Sequence, residues 1–166
     1  MTEKIREGMA QLTGRDVLEV EAEERATGNN LADLTLSKKF QARLAARALQ
    51  MNVHDLRELP MRKYNQACVA VVAEMFAPAP IDIVKLQEKL DAMTGYDLEV
   101  VEAEERLAGN KQPELSMSKK FQARLAARAL GMKVDDLLAK PVPDFIQACA
   151  VVFSFLFESE SEVATR

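Results

Sequence analysis

The chain is 166 residues long, carries a net charge of −4, and 48% of its residues are apolar. That is enough for one or two small cores, and the acidic balance argues against a broad nucleic-acid surface, which needs a basic face. Ala, Leu, Glu, Lys, Arg, Met and Gln dominate while Gly and Pro are scarce and Trp is absent, so the expected fold class is all-α.

In chain order, a first helix is predicted over Thr2–Leu12, where Ile5, Met9 and Leu12 recur at helical spacing. Thr13 and Asp16 in "TGRD" have the spacing of a capping box. They open a second helix that carries Glu19, Glu21, Glu23 and Glu24 and stops at Gly28, a natural left-handed position. After a loop, Ser37 can cap a third helix, "SKKFQARLAARAL". A short fourth helix holds "VHDL", and Pro60 suits the start of a fifth, apolar helix, "YNQACVAVVAEMF". "APAPI", residues 77–81, is a short stiff connector.

The series then begins again. Leu86, Leu90 and Met93 mark a helix over Ile83–Met93; Thr94 and Asp97 repeat the cap; Glu99, Glu102, Glu104 and Glu105 repeat the acidic helix; Gly109 repeats the stop. Ser118–Leu130 is identical to Ser37–Leu49 over thirteen residues, and "VDDL", Pro141 and "FIQACAVVFSFLF" follow. An offset of 81 residues, the distance from Ser37 to Ser118, aligns 1–76 with 82–157 without a gap. The expected organisation is a tandem repeat of two bundles of about five helices each, 1–76 and 82–157, packed against each other. The acidic tail 158–166, "ESESEVATR", is expected to be disordered.

Cys68 and Cys149 occupy matching places in "QACVAVV" and "QACAVVF" and read as small buried thiols, with no disulfide framework or zinc spacing. "MTEKIREGMAQ" has no apolar signal core, and the longest apolar run, "ACAVVFSFLF", is short of the roughly 20 residues a membrane span needs. A soluble, cytoplasmic protein without a membrane partner is expected. His54 is the only histidine and is replaced by Asp135 in the second copy. Metalloprotease, P-loop and dinucleotide fingerprints are absent. No catalytic, cofactor-binding or metal-binding residue is therefore assigned, and no enzyme activity is expected.

Two places are candidates for protein binding. The third helix buries Phe40, Leu44 and Ala48 on one face and carries Lys39, Arg43 and Arg47 as a basic stripe, repeated as Lys120, Arg124 and Arg128. The stripe either pairs with the acidic second helix, docks an acidic partner helix or binds phosphate. In the last helix, Val72, Glu74 and Met75 of the first copy become Phe153, Phe155 and Leu156. With Phe157, and with Met75 and Phe76 in the first copy, this end is either internal packing or a surface for an apolar partner or for self-association.

"ARLAARALGMKVDDLLAK" resembles the outline of a helix-turn-helix DNA reader, yet its candidate recognition helix "VDDLLAK" is acidic where phosphates demand the opposite charge. The order "T-x-x-D", Gly stop, Ala/Leu helix, then Gly131–Leu137, Pro141 and Asp144–Phe145 resembles the small tail assembly chaperones of tailed bacteriophages. Met51–Leu56, Leu59–Pro60 and Tyr64 match in the first copy, and the chain departs from that family in carrying two copies and an N-terminal helix. The resemblance implies a non-enzymatic chaperone that coats the long helical tail tape measure protein and helps recruit tail tube subunits. It implies no cofactor. The alternatives left open are a DNA-binding regulator and a structural dimerisation module.

Overall fold

The computed structural model describes the backbone of residues 1–163 and the side chains of residues 1–157. The protein is all-helical: among the described residues there is no strand, only a single isolated bridge between Thr13 and Pro141. No helix among the described residues is long and apolar enough to cross a membrane. The chain divides into two compact units, Met1–Ala79 with the short segment Ala139–Pro143, and Pro80–Leu138 with Asp144–Arg166. The segment Ala139–Pro143 belongs to the first unit because the Gly14 N–H donates to the Lys140 carbonyl (3.0 Å) and the Val142 N–H to the Leu12 carbonyl (3.3 Å).

The first unit contains α1 (Thr2–Met9), α2 (Gly14–Ala26), a 3-10 turn (Leu34–Leu36), α3 (Lys38–Ala48), α4 (Val53–Glu58) and α5 (Met61–Met75). In the second unit α6 (Ile83–Asp91), α7 (Gly95–Leu107), a 3-10 turn (Leu115–Met117), α8 (Lys119–Leu130) and α9 (Val134–Leu138) follow in the same order. The last helix, α10, is Val142–Val163. Its backbone is helical beyond residue 157, where the sequence predicts a disordered tail, and no Gly or Pro interrupts it there. Residues 164–166 of that tail lie outside the described residues. The first helix of each copy is shorter than predicted, ending at Met9 and Asp91, and the 3-10 turns stand where only loop is expected.

Local chemistry sets the element ends. The Thr13 N–H and hydroxyl both donate to Asp16 Oδ2 (2.9 and 3.0 Å), and Thr94 does the same to Asp97 (3.0 and 2.9 Å). Each carboxylate thus takes up a free donor at a helix start and faces the positive end of the dipole. Gly28 and Gly109 have φ of +83° and +84°, which lets the chain turn back without a Cβ clash. Ser37 and Ser118 accept from the N–H of Phe40 and Phe121. Pro60 immediately precedes α5, where its missing donor costs nothing.

The duplicated stretch is the central helix of each unit. α3 packs on α1, α2, α4 and α5, and α8 packs on α6, α7 and α9. Phe40, Ala42, Leu44, Ala45, Ala46 and Ala48 are buried, as are Phe121, Ala123, Leu125, Ala126 and Ala127. A helix hidden on so many sides needs small residues, and alanine allows close approach at little entropic cost.

Candidate protein-binding surfaces

The acidic second helix and the basic third helix meet, and the meeting is built around a buried carboxylate. Glu24 is fully buried and receives the Arg43 Nε, while the other guanidinium arm reaches Glu23 at 3.1 Å. Asn29, just after the Gly28 stop, donates to Glu24 Oε2 and to Ser37 Oγ, both at 3.1 Å. One side chain therefore ties the end of α2 to the cap of α3. The second unit repeats every link. Arg124 Nε donates to the buried Glu105 (2.7 Å) and its Nη1 to Glu104 (3.3 Å), while Asn110 donates to Glu105 (3.0 Å) and Ser118 (2.9 Å). Burial pushes the Glu24 carboxyl up, but hydrogen bonds from Arg43 and Asn29 and the charges of Arg43 and Arg57 outweigh it and hold the group below its usual range.

The next arginine of each stripe is also engaged. Arg47 reaches Asp16 (3.3 Å), Glu19 (2.7 Å) and Glu23 (2.8 Å). Arg128 makes a two-pronged contact with Asp97 Oδ1 (3.0 and 2.9 Å). The backbone N–H of Thr94, then Arg128, lower the Asp97 carboxyl below its ordinary value. Four of the six stripe residues, Arg43, Arg47, Arg124 and Arg128, thus face carboxylates of their own chain. Lys39 is exposed and lines an open depression of about 660 Å³ with Asn30, Leu36 and Lys38. Lys120 is half-buried.

The remaining polar residues of the repeated stretch are internal too. Gln41 Nε2 donates to the Thr35 carbonyl (2.8 Å) and Gln122 Nε2 to the Ser116 carbonyl (2.7 Å). The Lys38 carbonyl accepts from the Cys68 thiol and the Tyr64 hydroxyl, and the Lys119 carbonyl from the Cys149 thiol. Burial raises the Cys68 thiol, consistent with an inert packing residue.

The apolar end of the last helix is mixed. Phe153 and Phe157 are 39% and 36% exposed, with ring centroids 4.5 Å apart. Phe155 is half-buried. Its first-copy counterpart, Glu74, pairs with Arg6 at 3.1 Å, and Arg6 is in turn replaced by Gln87. Both partners of that ion pair are gone from the second copy. Phe76 is 56% exposed. Met75 is fully buried and so takes no part in any surface: it lies one helical turn from Val71, on the inner side of α5.

Sequence reasoning passed over Asn29 and Asn110. The signal was present, since "GN" follows the acidic helix in both copies, but a helix stop explains the glycine without asking what its neighbour does. His54 is exposed on α4, 3.3 Å from Glu58. Among the described residues no group of three or more His, Cys, Asp or Glu could hold a metal ion. No protein-family model, curated protein or solved structure matches the chain.

Proposed function

We propose that the protein is a non-enzymatic protein-binding module built as two copies of one small helical bundle, acting as a tail assembly chaperone. Its client is a long apolar helical protein such as the tape measure protein, with tail tube subunits as further partners. The observation that supports this reading is the exposed Phe153–Phe157 pair. Burying such a ring is worth about 1.5–3 kcal/mol, and an aromatic pair on a helix is suited to receive an apolar helix. The basic stripe supports the scaffold half of the reading: its arginines hold α2 to α3 and α7 to α8, so the last helix is the better docking candidate. The DNA-binding alternative gains nothing from α9, whose first turn carries Asp135 and Asp136.

The test is co-expression with a tape measure protein and measurement of the soluble client recovered in complex. Phe153→Asp and Phe157→Asp are expected to abolish recovery while leaving the thermal midpoint of the free protein unchanged. A lowered midpoint would place the rings in the core, and a wild-type protein that recovers no client would sink the chaperone reading.

A further inference from the structure

Helix α7 has a face that its copy α2 lacks. Away from the core, α2 carries Arg15, Glu19, Ala22 and Ala26, whereas the same register of α7 carries Tyr96, Val100, Ala103 and Leu107. These four are spaced i, i+4, i+7 and i+11, a single stripe down one side of a helix. Tyr96 is 81% exposed, Val100 39% and Leu107 89%, while Val101 and Glu105 are buried on the opposite side. The pair Leu18–Glu19 has become Glu99–Val100, which turns the apolar residue outward by about 100°. Folding does not require the stripe. With a charged outer face, α2 makes the same cap and the same buried arginine–carboxylate contact.

The charge along the stripe is one-sided. Glu99 and Glu102 lie exposed along one edge and make no hydrogen bond or ion pair among the described residues. With Glu114, Pro113 and Arg106 they border an open depression of about 540 Å³ that reaches Ala103. The Arg106 guanidinium is occupied by the carbonyls of Asn110 (3.1 Å), Gln112 (2.8 Å) and Pro113 (3.3 Å). Along the other edge, Asp97 and Glu104 are already paired with Arg128 and Arg124.

We infer that this stripe docks an amphipathic helix of another protein, with apolar residues every three or four positions and Lys or Arg along the edge that meets the acidic depression. The α7 of a second copy does not supply those cations. Two α7 helices paired antiparallel set the Glu99–Glu102 edge against itself, and paired parallel they set it against an edge whose arginines, Arg128 and Arg124, are already held by Asp97 and Glu104. The inference is independent of the last helix.

The first copy supplies a variant compatible with the fold: Tyr96→Arg, Val100→Glu and Leu107→Ala together give α7 the outer residues of α2. The probe is a synthetic helical peptide about three heptads long, with Leu at the seam and Lys at the flanking positions, beside a control with Glu at those positions. By fluorescence anisotropy, the full chain is expected to bind the Lys peptide, to bind the Glu peptide at least about ten-fold more weakly, and to lose about ten-fold or more of Lys-peptide affinity in the triple variant. Glu99→Lys with Glu102→Lys is expected to reverse the preference, and Phe153→Asp to leave it intact. Absence of Lys-peptide binding, equal affinity for both peptides, or full affinity in the triple variant overturns the inference. So does a wild-type dimer that the triple variant converts to monomer, which would make the stripe a self-association face.

Discussion

The first and second units share their helix caps and their buried arginine–glutamate contacts, and differ in the seat of the first helix and in an outer face. Shared are the two threonine–aspartate caps, the left-handed glycines, the buried glutamate held by arginine and asparagine, and the alanine-rich central helix. Different are the packing of the first helix and the outer face of the second. In the first unit, Gly8 lets α1 come so close to α3 that a Cβ there would stand 1.9 Å from the Ala48 carbonyl oxygen. The second unit has Lys89 in that place, exposed. Arg47 gathers three carboxylates in the first unit, whereas Arg128 faces Asp97: Val100 replaces Glu19, and Glu104, the counterpart of Glu23, pairs with Arg124 instead. What is retained ties α2 to α3 and α7 to α8, and what has changed is the seat of the first helix and what the outer face of the second helix can touch.

The sharpest test of the shared part is the buried pair. Arg43→Ala leaves Glu24 buried without its arginine and is expected to cost about 4 kcal/mol, with Arg124→Ala costing a similar amount, both read from urea unfolding. A loss near 1 kcal/mol in either unit would make that pair an ordinary surface contact. The different part is tested by Gly8→Ala, expected to cost about 3 kcal/mol because backbone atoms stand where the methyl group must go. Hydrogen exchange should place that loss in α1 and α3, and a neutral outcome would show that α1 can move away freely.

Acidity reports on the same carboxylate. Glu24 is held below its usual range in the folded protein, so its stabilisation is complete above the ordinary glutamate value of about 4.3 and is lost as pH falls through the lower folded value. The urea midpoint is expected to fall on acidification, and Glu24→Gln to remove part of that slope. A slope unchanged by Glu24→Gln would assign it to other carboxylates such as Asp97, which is lowered in the same direction.

The smallest effect concerns the end of the central helix. Gln50 sits at φ +52° where the second copy has Gly131 at φ +66°. A left-handed conformation costs a residue with a Cβ about 1 kcal/mol relative to glycine. Gln50→Gly is expected to stabilise the first unit by about that amount, less some unfolded-state entropy, and Gly131→Gln to destabilise the second. Opposite signs in a thermal melt would mean that the Gln50 side chain makes up for its backbone.

Several features were legible in the residues alone because their causes are local. A cap needs a hydroxyl and a carboxylate three positions apart, a stop needs a glycine, and a buried helix needs apolar residues at helical spacing; all of these lie within one or two turns. The all-helical class, the order of elements, the caps at Thr13, Thr94, Ser37 and Ser118, and the glycine stops follow from such rules. The charges of the acidic and basic helices offered their pairing as one of the readings, and the packing supplies it for Arg43, Arg47, Arg124 and Arg128.

Choice of partner and degree of exposure were decided only by tertiary structure. Glu23 and Glu24 are neighbours of identical chemistry, yet Glu24 alone is fully buried, because the rotation of α2 against α3 aims it inward beside Arg43 and Asn29. Met75 and Phe76 are adjacent and apolar, yet one is core and the other surface, since a helix turns 100° between them. The acidic helix reads alike in both copies, and only the packing shows that on α7 Tyr96, Val100 and Leu107 stand in the open. A sequence states which side chains share a side of a helix; what lies opposite that side, and hence whether it is filled or vacant, is settled when the helices pack.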